Sequence, residues 1–222
     1  MGLRDWTEAA ARNNAAWCDA VCRAHGVPGR FLPELWVNAQ VVPRFYPNAV
    51  TLTHGEVNVR EQRSAIELLV ASNLPNRWAV KDSFAELELS RLGFDVLFEA
   101  SWIRSVMPAP GPSVDITWQR ETQAATRLPF DDPDFALFTG RRGLRVVAGG
   151  MLYRAAGVVG LSNVVAEAAD AVAVWRSLSL LASQTFPRLR LVGYESGAEL
   201  QAALDAGFEM GDPLRIWVKA QD

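Results

Sequence analysis

The chain has little from which to build a metal or redox centre. Its 222 residues include only two cysteines and two histidines. Cys18, Cys22 and His25 share one face of a predicted helix at spacing i, i+4, i+7. Structural zinc takes four ligands in closed spacings, and His54 is the only other histidine. Two buried, inert thiols on an amphipathic helix are therefore expected, and no metal. Such sparse cysteine suits a reducing compartment. No run approaches the ~18 apolar residues of a membrane span. The opening MGLRDWTEAA is charged and lacks an apolar core, so no signal peptide is expected and the cytoplasm is the expected location. A basic excess is also absent. A net charge of −3 and a pI near 5.5 argue against a dedicated nucleic-acid binder.

What is present is a core and a repetition. Half of the residues (50%) are apolar, enough for a well-packed interior. Residues Trp78 to Ile103 read WAVKDSFAELELSRLGFDVLFEASWI, and Leu191 to Val218 read LVGYESGAELQAALDAGFEMGDPLRIWV. Each passes from an apolar run through acid–Ser (Asp82-Ser83, Glu195-Ser196) into Ala-Glu-Leu. Each then reaches Gly-Phe and a second apolar run containing Trp. A period of about half the chain indicates a duplicated domain rather than a solenoid.

The repeat carries local rules as well as letters. Ser83 with Glu86, and Ser196 with Glu199, fit the capping box, which predicts a helix start in each copy. Gly93 and Gly207 stand where a helix ends in a left-handed residue. Upstream, Ile66–Ser72 resembles Leu178–Ser183, and each is followed by Pro (Pro75, Pro187). Val174, Trp175, Leu178, Leu181 and Ala182 fall on one helical face. Apolar runs Ala49–Leu52 and Val158–Leu161 precede these helices. The repeated unit therefore reads β-α-β-α-β, an α/β class with a mixed sheet that contains parallel pairs. The expected division is an N-terminal half over 1–106 with an extra helix, a Pro-rich connector over 107–117, and a C-terminal half over 118–222.

Eight tryptophans are many for this length. Trp102 and Trp217 hold matching places in the repeat and are expected in the core, as is Trp175. Trp6, Trp17 and Trp36 lie outside the repeat; packing is the expectation for Trp36 over ligand binding. The stretch Val41–Asn48 is irregular and aromatic with two prolines. It reads either as the lining of an acceptor cleft or as a connector packed on the core.

The order Val158-Val159-Gly160-Leu161-Ser162-Asn163, amphipathic helix, Pro187, Leu191–Glu195, then Ala203 to Phe208 and a closing strand resembles the GNAT superfamily of acyl-CoA-dependent N-acetyltransferases. The resemblance covers Arg145 to about Lys219, with Ala49–Ile103 as a degenerate second instance, so the chain resembles a tandem GNAT-like protein. It implies that two parallel strands splay and hold the pantetheine of acetyl-CoA between them. The helix after the first of these strands would receive the pyrophosphate at its N-terminus. Leu161, Ser162, Asn163, Val164, Val165, Asp170 and Ala171 would line that binding site. An amine would attack the thioester while a carboxylate takes its proton and a Tyr protonates the thiolate. Those roles fall on Glu195 and Tyr194 at a strand end, with Tyr153 in the preceding hairpin as a second phenol. The implied acceptor is a small-molecule amine or a peptide, and homodimers are common among such proteins.

The chain departs from the family at the phosphate loop, usually R/Q-x-x-G-x-G/A. Ser162 to Ala171 holds no glycine and no basic residue, while Glu167 and Asp170 would repel a pyrophosphate. Thr53–Arg60 in the first copy offers Gly55 and nearby Arg60 and Arg63 without the full motif. Glu195 has a structural reading as well, because Asp82 precedes Ser83 in the same way. Ser162-Asn163 reads either as a ligand contact or as an Asx-type turn. Two functions follow: an N-acetyltransferase using acetyl-CoA, or a non-catalytic module of the same fold that binds a small molecule or a protein.

Overall fold

The computed structural model describes residues 3–72, 78–105 and 115–219. In chain order the elements are α1 (Leu3–Ala24), β1 (Arg30–Phe31), β2 (Leu35–Val37), β3 (Ala49–Thr51), α2 (Glu56–Ala71), β4 (Trp78–Asp82) and β5 (Asp95–Ser105). These are followed by β6 (Thr117–Glu121), β7 (Phe135–Arg142), β8 (Arg145–Ala155), β9 (Val158–Ala166), α3 (Ala171–Thr185), β10 (Arg190–Glu195), α4 (Gly197–Asp205) and β11 (Phe208–Lys219). The chain divides into two compact units, 1–100 with 212–222, and 101–211. Most of the expected connector, and Pro75, lie outside the described residues. Among the described residues no helix is long and apolar enough to cross a membrane. None of their His, Cys, Asp and Glu side chains gather in threes to hold a metal ion.

In the first unit the sheet runs β1, β2, β3, β4, β11, with β3 and β4 parallel and the other pairs antiparallel. α1 is amphipathic. Its Ala11, Ala15, Cys18 and Cys22 recur at helical spacing and are buried. Burial pushes the Cys18 thiol up to about 12 and the Cys22 thiol up to about 11, so both are inert. Asp19, also on α1, accepts from the Gly29 N–H at 2.9 Å and from Trp36 Nε1 at 3.1 Å. Trp36 is therefore a packed core residue. Leu35, Ile66, Trp78, Val80, Leu89, Phe94 and Trp217 form a second cluster in the same unit.

In the second unit the sheet runs β5, β10, β9, β8, β7, β6, with β9 and β10 parallel and the rest antiparallel. α3 lays Val174, Trp175, Leu178 and Ala182 on the sheet against Leu152, Leu161 and Leu191. Phe208 closes that core, its ring edge-on to Trp175.

The closing strands are exchanged relative to sequence order. β4 belongs to the first repeat, yet its antiparallel partner is β11, with Val80 opposite Trp217. β10 belongs to the second, yet it pairs with β5, Tyr194 opposite Trp102. Each unit thus combines a parallel strand pair with a closing strand drawn from the other repeat.

One expected helix does not form. Over Ser83–Gly93 the backbone makes a turn, an irregular stretch and one 3-10 turn at Ser90–Leu92. The buried Asp82 carboxylate accepts from the N–H groups of Leu87 at 2.9 Å and Glu86 at 3.2 Å, bonds that compete with a helical start. Ala85 stands at φ 52°, outside helical space. Leu87 and Leu89 are both buried, a period of two rather than 3.6. Neither capping box closes. Glu86 turns away to accept from the Gly55 N–H at 2.8 Å. Ser196 occupies the N-cap position of α4 without a side-chain bond. Gly207, at φ 100°, does follow the end of α4, whereas Gly93, at φ 79°, closes only the 3-10 turn.

Candidate active site

The site starts from an interruption in a ladder. β9 and β10 pair only at Val158–Arg190, Val159–Leu191 and Gly160–Val192. Beyond that, each stays with its outer neighbour. β9 follows β8 as far as Ala166 opposite Ala148, and β10 follows β5 as far as Glu195 opposite Ser101. Their facing edges therefore diverge. Leu161–Ala166 border the opening on one side and Gly193–Glu195 on the other.

A bulge directs the divergence. Along β8 the pairing jumps from Gly149–Val165 to Met151–Ser162, so Gly150 faces two residues, Asn163 and Val164. Asn163 takes φ 51°, a left-handed conformation that Asn tolerates, and a bulge bends its strand. Ser162 to Ala166, expected to begin a loop, are strand; the connection to α3 is only Glu167–Asp170. Leu161 and Ala171 are buried, whereas Asn163 and Val165 are exposed.

Glu195 ends β10 on the face that carries Leu191, just before α4 begins. Burial pushes its carboxyl up to about 7, with Glu199 adding like-charge repulsion. Tyr194 points to the other face, because successive strand residues alternate. Its ring stands edge-on to Trp102 at 5.6 Å. The opening between the strands is the place both residues border. Tyr153 is elsewhere: it lies on β8 opposite Phe135 and Gly160, alongside the closed part of the ladder. Its hydroxyl is 3.1 Å from Asp132 Oδ2, to which it donates.

At the N-terminus of α3, just past the end of β9, the acids Glu167 and Asp170 have arginine partners that the sequence pattern did not reveal. Arg142 Nη2 donates to Asp170 at 2.7 Å and Nη1 to Glu167 at 3.2 Å. Arg145 Nη2 reaches Glu167 at 2.6 Å. Asp170 raises the Arg142 guanidinium further above its already high value. The two arginines flank the β7–β8 turn, 22 to 28 residues before their partners. Arg-Arg-Gly-x-Arg is a visible signal of an exposed basic turn, but its partner could not be read from it.

At the matching position in the first unit, the N-terminus of α2, a carboxylate takes a backbone N–H. There the Gly55 N–H donates to Glu86. A cavity of about 250 Å³ adjoins it, lined by Thr7, His54, Gly55, Phe84, Glu86, Asp212 and Pro213. Thr7 donates to Asp212 at 3.0 Å, and His54 Nε2 lies 3.5 Å from Glu8.

A mixed α/β sheet whose parallel pair splays beside a bulge defines the class of fold, and solved structures share it. A GCN5-related N-acetyltransferase from Kribbella flavida matches with a TM-score of 0.61 at 12% identity, over 96% of each chain. A functionally unknown conserved protein from Staphylococcus epidermidis matches at 0.60 and 9% identity, over 88% of this chain and 96% of that one. A GCN5-related N-acetyltransferase from Sphaerobacter thermophilus matches at 0.52 and 11%, over 96% and 93%. No family model and no curated protein matches the chain. The chain thus has the fold of the GCN5-related N-acetyltransferases.

Proposed function

We propose that this protein is an N-acyltransferase that moves an acetyl group from a thioester of the acetyl-CoA type to an amine, and that the second unit carries the chemistry. The observation behind this reading is the opening between β9 and β10, bordered by a carboxyl whose pKa lies near 7. A base poised near neutrality suits proton removal from an ammonium-derived nucleophile. In the transfer, the amine nitrogen forms a bond to the acyl carbon and the carbon–sulfur bond breaks. Glu195 takes the amine's proton, and the Tyr194 hydroxyl supplies one to the departing thiolate. Backbone N–H groups on the unpaired strand edge polarise the acyl oxygen. The acceptor is a small-molecule amine or a peptide, and the two repeats are tandem halves of GNAT type.

One observation favours the second reading, a non-catalytic module of the same fold. The carboxylates Glu167 and Asp170 stand just before the helix start where an anionic ligand would be held, and they pair with Arg142 and Arg145. Isothermal titration of the whole chain with acetyl-CoA and with S-acetylpantetheine separates the two. Saturable micromolar binding of either, about one per chain, supports the transferase. Absence of heat with both at millimolar ligand overturns it in favour of the binding module.

A further inference from the structure

We infer that the cleft of the second unit takes a thioester donor that carries no diphosphate: a pantetheine-type thioester in preference to a coenzyme A thioester. This rests on the acyltransferase reading and narrows its donor.

The opening between β9 and β10 leads past Ala166 to the start of α3, a helix of 15 residues. In an unoccupied helix start, free N–H groups and the dipole favour an anion. Here the chain supplies its own anions. Asp170 is largely shielded, with its side chain 15% exposed, and it holds Arg142 at 2.7 Å. Glu167 engages both Arg142 and Arg145. The two guanidinium groups that could have gripped a diphosphate are committed to internal carboxylates. An incoming diphosphate would have to displace those carboxylates from the arginines and then remain beside them. Ser162 to Ala171 also contain no glycine, the residue that best lets backbone approach phosphate oxygens closely.

The first unit reaches the same result by different residues. The N–H at the start of α2 is taken by Glu86, and Asp212 joins it around the cavity. Among the described residues, no Lys or Arg side chain pairs with either acid. Neither helix start is thus arranged for a dianion.

A pantetheine arm asks for something else. It is uncharged, extended and carries two amides. Diverging strand edges offer N–H and C=O groups to such an arm, the same chemistry by which extended peptides join an open sheet edge. The cleft therefore retains what holds the arm and lacks what holds the nucleotide end.

The test titrates the whole wild-type chain with S-acetylpantetheine and, separately, with acetyl-CoA. The expected result is a dissociation constant about tenfold lower or better for S-acetylpantetheine, a factor readily resolved by titration. The E167Q/D170N variant should tighten acetyl-CoA binding about tenfold and leave S-acetylpantetheine within about twofold. Equal or tighter wild-type binding of acetyl-CoA overturns the inference and leaves the acyltransferase reading standing. Failure of both thioesters to bind at millimolar concentration overturns both. If the variant does not fold, the wild-type ratio decides alone.

Discussion

Gly193 lies so close to Leu161 that a Cβ placed on it would stand 3.0 Å from the Leu161 carbonyl oxygen. The contact falls one residue beyond the last paired position, Val192 opposite Gly160. At this point the two strands have lost register but their backbones still touch. A side chain there would push them apart or strain the β9 backbone. Gly193→Ala is expected to cost about 1–3 kcal/mol, the range for overpacking a tight site. It should also weaken thioester binding. Thermal unfolding and titration check this; an unchanged Tm would show that the strands can give way at no cost.

The carboxyl of Glu195 predicts a pH signature in stability. Its ordinary value is 4.5, and in the fold it is about 7. Between those values the folded chain holds a proton that the unfolded chain has released. Stability therefore falls as pH rises through that window. Glu195→Gln cannot ionise and should lack this fall. At pH 8 the variant should exceed the wild type by on the order of 1 kcal/mol, discounted for the group's partial exposure. Near pH 5 the gap should narrow. Denaturant melts at the two pH values measure it, and equal gaps would refute the perturbed carboxyl.

Activity should carry the same group. The unprotonated form is the base, so kcat/KM should rise with pH to an inflection near 7. In Glu195→Gln the inflection should vanish and the rate fall by about 10²-fold or more. A profile that keeps the inflection would assign it to another group.

The two phenols should separate. Tyr194→Phe removes help given only in the transition state, so turnover drops while donor affinity stays nearly constant. Tyr153→Phe removes the bond to Asp132 and should cost about 1 kcal/mol of stability with turnover intact. Steady-state kinetics beside thermal melts distinguish these patterns. Unchanged turnover in Tyr194→Phe would eliminate it as the acid.

The exchanged strands make a prediction about truncation. Trp217 is buried in the core of the first unit, opposite Val80, although it lies near the chain's end. A chain ending at Gly211 lacks that strand and a core tryptophan. It should lose cooperative melting of the first unit, since removing a buried Trp alone costs about 3–5 kcal/mol. Far-UV circular dichroism through a thermal ramp checks this. A sharp first-unit transition in the truncated chain would mean that β4 can close the sheet without β11.

Much of this could be read from residues one at a time. The face Val174, Trp175, Leu178, Ala182 declares α3, because a 3.6-residue period has one meaning on a buried sheet. Gly93 and Gly207 mark stops through their backbone freedom, which needs no neighbour. The stretch Ser83–Gly93 shows where this reading fails. Its capping-box letters match those before α4, yet the Asp82 carboxylate and buried Leu87 and Leu89 draw the backbone out of the helix. Tertiary burial overrode a local propensity of a few tenths of a kcal/mol per residue.

By itself, the sequence determined the class of fold, the parallel strand pairs with their covering helix, the tryptophans of the core and the placement of Glu195 and Tyr194 at a strand's end. Each follows from periodicity or from a local backbone preference. Only the tertiary structure decided which closing strand pairs with which repeat, where β9 and β10 part, and that Arg142 and Arg145 neutralise Glu167 and Asp170. Those are contacts between residues far apart in the chain. β5 and β11 carry similar apolar patterns, so either could close either sheet by pattern alone. Packing of whole strands, and charges meeting across a hairpin and a helix start, settle what no window of sequence contains.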